Sequence, residues 1–119
     1  MSVLPKVVTA LSGTQYAPDA DDYKLGVPLH RSSLVTWIID HPAATTTAYS
    51  VQVSNMTDQE CRDGSDDWDD YTLIATQTPT GAEKVFIEFV SNGFARVRLK
   101  MVTTVGSGSN TVRCNKESP

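Results

Sequence analysis

The residues best suited to chemistry are five aspartates that lie around a single tryptophan in the short segment "DGSDDWDD". Carboxylates gathered in one loop are the ligands that Ca²⁺ prefers, because this ion is coordinated by several oxygen atoms at once. The candidate metal ligands are therefore Asp63, Asp66, Asp67, Asp69 and Asp70.

The spacing of these aspartates argues against a metal site. The common helix-flanked calcium loop has acids at alternating positions, a glycine near its middle and a closing glutamate. Here Gly64 directly follows Asp63, and no glutamate closes the segment. Adjacent aspartates at the start of a strand point to opposite sides, so each pair offers one ligand to a given site. We therefore expect no metal or other cofactor, and interpret the segment as a solvated turn anchored by Trp68.

Other catalytic patterns are missing from the sequence. A glycosidase needs two carboxylates on opposite walls of a groove, and a hydrolase of the G-x-S-x-G type needs a nucleophile elbow. The glycine-rich "GSGSN" lacks the lysine of a phosphate-binding loop, so we interpret it as a connection between strands. His30 and His41 lie at predicted strand ends, which is typical of surface or hydrogen-bonded histidines. We predict no catalytic residue and a protein that is not an enzyme.

Charge is distributed unevenly along the chain, whose formal net charge is −4. Residues 58–70 hold seven acids and one base, while the remainder holds seven acids and nine bases. This balance does not favour binding to nucleic acid, which requires clustered lysines and arginines. Arg96, Arg98 and Lys100 nevertheless share one side of a predicted strand. They either line a solvent-exposed face, where acids on the neighbouring strand sometimes pair with them, or contact an acidic surface of another subunit.

Composition indicates a single globular domain over residues 1–119. Hydrophobic residues make up 39% of the chain and charged residues 20%, which fits neither a disordered protein nor a membrane protein. No apolar run approaches the roughly 20 residues that cross a bilayer. The first residues lack the order of a secretory signal, so we expect a chain that stays in the cytoplasm of the producing cell. Cys61 and Cys114 are expected to be free thiols, with a disulfide possible only in an oxidising exterior.

Period-2 alternation of apolar and polar residues predicts an all-β chain. We expect residues 13–30 to form a long loop or arm, with a short strand possible at its end, and residues 115–119 to form a frayed tail. About seven or eight strands in one domain favour an antiparallel β-sandwich or jelly roll. The predicted strands are Lys6–Ser12, Leu34–Asp40, Ala48–Ser54, Tyr71–Thr76, Val85–Val90, Phe94–Thr104 and Thr111–Asn115.

Four phrases of the sequence resemble small β-sandwich proteins of tailed bacteriophage virions, of the head decoration or auxiliary type. They are "YSVQVSN", "DDWDDYTLI", "TPTGA" and "GFARVRLKMVTTVGSGSNTVRCNK", which together cover roughly residues 48–116. In that family a strand ending in Ser-Asn leads into "D-x-x-x-W". An aromatic-x-x-V-R-L strand then leads through "SGSG" to a short final strand and a lysine. The spacing is also similar to that of discoidin-like carbohydrate- or lipid-binding domains.

The resemblance assigns structural positions and no catalytic residues. The core and loop-anchor positions of the family fall on Val51, Val53 and Trp68, and its V-R-L strand falls on Val97, Arg98 and Leu99, with Phe94 as the aromatic residue. This chain departs from the family in "MTDQECRDGSDDW", which is longer than the usual loop, so a shared ligand-binding geometry is not implied.

The function that the resemblance implies is that of a structural protein of a tailed bacteriophage virion. We expect a capsid decoration or cement protein, a homo-oligomer that contacts the major capsid protein or other virion proteins, with no nucleic-acid or membrane partner. Its location would be the virion, assembled in the host cytoplasm. Two alternatives remain: a neck, tail or fibre-attachment protein, and a carbohydrate- or cell-surface-binding module. The second would require exposed aromatic residues, whereas most tryptophans and tyrosines fall on predicted inward positions.

Overall fold

The computed structural model describes residues 2–3, 7–17, 26–29, 34–91 and 93–117. Within them the chain is all-β, as the alternation predicts, with eight strands and one short helix. The elements are β1 (Ser2–Val3), β2 (Val7–Ala17), β3 (Val27–Pro28), β4 (Leu34–His41), β5 (Thr46–Ser54), α1 (Asp58–Arg62), β6 (Asp69–Asp70), β7 (Glu83–Val90) and β8 (Arg96–Glu117).

The 22-residue strand β8 organises one antiparallel sheet. Its first half pairs with β5 on one side and with β3 and the end of β2 on the other. Its second half pairs with β4 on one side and with β1 and the start of β2 on the other. Further strands extend the sheet, β6 beside β5 and β7 beside β4. The strand order is β6-β5-β8-β4-β7, and both halves of the sheet share β2 and β8.

A local irregularity in the middle of β8 curls this sheet. Between Leu11 and Gly13 of β2, the paired residues of β8 pass from Gly108 to Thr103, so β8 contains surplus residues at this point. Gly106 lies there with a φ of 80°, and a Cβ atom on it would approach the carbonyl oxygen of Ala44 to 2.3 Å. Because of these surplus residues, the side chains of β8 that face the core are odd-numbered before this point and even-numbered after it. The core-facing residues before it are Val97, Leu99 and Met101, and those after it are Asn110, Val112 and Cys114.

The concave side of the curled sheet holds a single cluster of buried side chains. Trp37 and Tyr49 are its largest members, and both are fully buried. Burying an aliphatic or aromatic side chain contributes about 1.5–3 kcal/mol, so the alternating inward residues of these strands hold the sheet in its curled form. They are Val35, Trp37 and Ile39 of β4, Tyr49, Val51 and Val53 of β5, Val85, Ile87 and Phe89 of β7, and the buried apolar residues of β8.

The segment 71–82 bridges β5 and β7. Tyr71 donates its backbone N–H to the Val51 carbonyl, and Gln77 exchanges backbone hydrogen bonds with Tyr49. The side-chain amide of Gln77 then donates to the Phe86 carbonyl of β7 at 3.3 Å. The segment therefore links the edge of the sheet at β5 to the edge at β7.

Two sequence predictions about strands are wrong. Tyr71–Thr76 is no strand, because the chain turns after Tyr71 and the N–H of Ile74 bonds back to the Tyr71 carbonyl at 3.4 Å. Ile74 instead packs against the core from the bridging segment, while Leu73 is exposed. The "GSGSN" stretch is no connection either, because residues 106–110 lie within β8 and its glycines permit the bend instead of a chain reversal.

The predicted loop and tail are each partly wrong. Residues 13–17 continue β2, where polar side chains are tolerated because they lie at the edge of the sheet. Residues 18–25 and 30, including His30, lie outside the described residues. In the tail, Asn115–Glu117 belong to β8 because their backbones pair with β4, and those of Asn115 and Lys116 also pair with β1, while residues 118–119 lie outside the described ones.

Candidate functional site

The convex face of the first half of β8 carries the predicted basic triple, and the chain itself covers most of it. Arg96 and Arg98 are each 4% exposed, beneath the segment 55–70 that contains α1 and the aspartates; we call it the acidic segment. The prediction of a solvent-exposed face is therefore wrong for these two arginines. The prediction fails because a contact distant in sequence buries the two arginines: the acidic segment folds back over its neighbouring strands.

Arg96 is held by the start of α1. Its Nε donates to the Met56 carbonyl at 3.0 Å, and its Nη2 forms an ion pair with Asp58. Thr57 and Glu60 form a capping box, which begins the helix and places Asp58 in its first turn. The hydrogen bond and positive charge of Arg96 lower the pKa of the Asp58 carboxyl. Arg96 therefore pairs with an acid of a helix, whereas the predicted pairing was with acids on the neighbouring strand.

Arg98 lies between two aromatic rings. Its guanidinium carbon is 3.7 Å from the ring centre of Tyr16 and 4.2 Å from that of Trp68, and its Nε donates to Gln52 Oε1 at 2.8 Å. A Cβ atom on Gly26 would stand 2.7 Å from the Trp68 ring, so a glycine leaves room for the indole. Trp68 thus anchors the acidic segment to the sheet through a cation–π contact.

The five aspartates lie on the exposed side of the acidic segment. Asp66 stands 3.8 Å from Arg98, Asp63 accepts from Gln59, and Asp70 accepts from Gln52. Among the residues that the structure describes, no group of three or more histidines, cysteines or acids is arranged to hold a metal ion. The geometry therefore assigns these carboxylates to hydrogen bonds, ion pairs and solvent contact.

Lys100, the third member of the basic triple, remains accessible. It is half-buried and lines a groove of about 250 Å³ between the outer face of β5 and β8 and the residues that follow β6. Sequence reasoning missed this groove because it interpreted residues 71–76 as a strand. No local pattern shows that this segment instead leaves the sheet and forms a wall.

His41 lies inside the protein, in a hydrogen-bonded network. Its Nε2 donates to the Thr45 carbonyl at 2.6 Å, and its Nδ1 shares a hydrogen bond with the Tyr49 hydroxyl at 2.8 Å. Asn110 donates to the same hydroxyl at 3.1 Å, and burial raises the pKa of Tyr49. The hydroxyl and both ring nitrogens are engaged within the chain. The network therefore ties the turn after β4 to the second half of β8.

Both cysteines are buried and neither is bonded to the other. Cys114 points into the core, where burial raises the pKa of its thiol to about 12. Cys61 is the buried residue of α1. A neutral, buried thiol is a poor nucleophile, so Cys114 acts as a core residue.

None of the described residues covers the convex face of the other half of the sheet. We call it the β7–β4 face; its apolar members are Leu34, Ile38, Phe86 and Val90, and its charged members are Asp40, Lys84, Glu88, Arg113 and Glu117. Phe86 is 58% exposed and Val90 63% exposed, beside half-buried Ile38 and Leu34. The Lys84 and Asp40 pair, at 3.6 Å, lies at one end of this apolar strip. An apolar strip bordered by charges is typical of a protein-binding surface.

No protein-family model matches the chain, and searches of curated proteins and of solved structures found no similar protein. No helix among the described residues has the length and apolar character needed to span a membrane.

Proposed function

We propose that the protein is a structural protein of a tailed bacteriophage virion, most specifically a decoration or cement protein that binds the outside of the capsid. In this proposal the two halves of the curled sheet act as the two layers of a small sandwich of the jelly-roll kind. The sequence resemblance over roughly residues 48–116 supports the proposal. So do the positions it assigned, because Val51, Val53, Val97 and Leu99 are all buried in one cluster.

The observation that carries the proposal is the β7–β4 face. Phe86 and Val90 are two of five large hydrophobic residues that are exposed among the described residues, and they lie four positions apart on one strand, with Glu88 between them. Exposed apolar side chains on one face of a sheet lose favourable burial unless another protein covers them. Charges of both signs around them fit a protein partner and disfavour a nucleic acid.

A capsid lattice is the occupant that we assign to this face. A lattice offers the same site many times, so a decoration protein that is itself an oligomer binds several sites together and gains avidity from modest contacts. The apolar strip runs along β7 and β4, which pair over their full lengths and therefore present a firm surface. A firm surface loses little conformational entropy when it docks.

Co-sedimentation with capsids tests this proposal. The particles are assembled from the capsid protein of the phage genome that encodes this chain, and the double variant Phe86→Ser/Val90→Ser is compared with Leu73→Ser. Leu73 is 81% exposed and lies in the bridging segment, so its variant removes a similar exposed side chain from another surface. We expect the natural chain and Leu73→Ser to sediment with capsids and the double variant to remain in solution. A natural chain that never sediments, or a double variant that binds as well as Leu73→Ser, contradicts the proposal.

A further inference from the structure

The groove beside Lys100 has the features of a binding site for a small ligand. Its floor is the convex face of β5 and β8, and its wall is the start of the bridging segment. A volume of about 250 Å³ is below the roughly 300–1,000 Å³ of sites for drug-sized molecules. The space suits one sugar ring or another molecule of that size. Because the groove is open to solvent, the ring can also belong to a longer chain.

Lys100 supplies an uncommitted positive charge in this groove. Arg96 and Arg98 lie on the same strand face, yet both are covered by the acidic segment and bonded to the chain. Lys100 forms no ion pair or side-chain hydrogen bond with any residue that the structure describes. The Lys100 residue is half-buried beside the groove, and its ammonium group can donate charge-assisted hydrogen bonds to a ligand carboxylate there.

The other polar groups of the groove fit hydroxyl groups on the same ligand. Ser50 lies directly opposite Lys100 in the sheet register, and Thr72 and Thr76 line the wall. Asp70 accepts a hydrogen bond from Gln52 through Oδ1, which fixes the carboxylate and leaves Oδ2 to accept from a ligand. Hydroxyl groups both donate and accept, so this set recognises a polyhydroxylated molecule.

Apolar residues complete the groove. Val102 on the floor and Ile74 on the wall offer surfaces against which the C–H face of a sugar ring can pack. One cation, one fixed carboxylate, several hydroxyls and an apolar surface together match a ring that carries one carboxylate and several hydroxyl groups. We propose that this groove binds an acidic sugar of the uronic-acid class, as a monosaccharide or as a unit of an acidic polysaccharide. This site is independent of the β7–β4 face.

Titration followed by amide chemical shifts tests the proposal. The probes are D-glucuronate, neutral D-glucose, acetate and L-alanine, each added to the natural chain, to Lys100→Met and to Lys84→Met. Lys84 is an exposed lysine away from the groove, which makes its variant the matched control. We expect saturable shifts at Ser50, Lys100 and residues 70–76 with glucuronate, weaker binding of glucose and acetate, and an affinity lowered about tenfold or more in Lys100→Met alone.

Three results overturn the inference. They are an absence of saturable glucuronate shifts in the natural chain, equal glucuronate affinity in the two lysine variants, and tighter binding of alanine or acetate than of glucuronate. If Lys100→Met unfolds, Ser50→Ala replaces it, with loss of glucuronate affinity again the expected result. Failure here leaves capsid binding untouched, because Phe86 and Val90 lie on a different face of the sheet.

Discussion

Replacing Arg98 by methionine tests how the acidic segment is held to the sheet. Methionine fills much of the volume of arginine and keeps an unbranched side chain, but it has no charge and no hydrogen-bond donor. The change therefore removes the two ring contacts and the hydrogen bond to Gln52 while leaving the strand intact. Arg113→Met is the matched control, because Arg113 is an exposed arginine on the same strand.

The expected cost follows from the groups that lose their partners. A buried Gln52 oxygen left without a donor costs about 1–3 kcal/mol. Each cation–π contact contributes about 0.5–2 kcal/mol in a desolvated setting. Asp66 is 82% exposed at 3.8 Å, so its ion pair with Arg98 adds almost nothing. Because methionine is uncharged, the variant does not bear the cost of burying a charge, and this offsets part of the lost stability. The net destabilisation is about 3 kcal/mol, a large share of the roughly 5–15 kcal/mol of an ordinary domain.

Equilibrium unfolding in urea measures this loss, and a double-mutant cycle isolates its cause. We expect Arg98→Met to lower the unfolding free energy by about 3 kcal/mol and Arg113→Met to change it by less than about 0.5 kcal/mol. Combining Arg98→Met with Trp68→Leu yields a coupling energy of about 1 kcal/mol if the indole stacks on the guanidinium. Equal effects of the two arginine variants, or a coupling near zero, would refute this account of the anchor.

Three further predictions concern the bend, the ion pair and the core. Gly106→Ala should destabilise the fold by about 3 kcal/mol or more, because its Cβ atom would meet the backbone of Ala44. Gly13 also has a positive φ but has open space around it, so Gly13→Ala should cost about 1 kcal/mol. Thermal unfolding measures both costs, and equal values would contradict the close approach at Gly106. Because Arg96 lowers the pKa of Asp58 in the folded chain, this contribution to stability is complete above about pH 4 and lost as the pH falls through the lowered pKa. Asp58→Asn should therefore reduce the acid-induced fall in the urea midpoint, and an unchanged fall would count against the ion pair. The Cys114 thiol, with its pKa raised to about 12, should react with a thiol reagent at neutral pH only as fast as the protein unfolds; rapid labelling of the folded chain would contradict its burial.

Local patterns predicted the regular strands well. The strands β4, β5 and β7 appear within two residues of their predicted ends, because side-chain alternation is set by the strand backbone itself. Trp37 and Tyr49, two aromatic residues on predicted inward positions, are buried. The helix α1 was not predicted, although the capping box of Thr57 and Glu60 was the available signal for it, as "TDQE" in the sequence.

Such local patterns could not predict contacts between segments that are distant in the sequence. The alternation that places Arg96 and Arg98 on one face of β8 is the same whether that face is exposed to solvent or covered. Their burial depends on the acidic segment, which folds back over this face. The glycines of "GSGSN" indicate conformational freedom, and a bend or a turn uses that freedom equally well. The groove beside Lys100 depends on where the bridging segment runs, which the turn after Tyr71 determines.

Electron cryomicroscopy of capsids incubated with the protein tests the central claim most directly. We predict density for the protein at symmetric sites on the outer capsid surface, with Phe86 and Val90 of the β7–β4 face turned toward the capsid. Undecorated capsids at saturating protein, or bound protein whose β7–β4 face points to solvent, would contradict the assignment of this face as the lattice-binding surface.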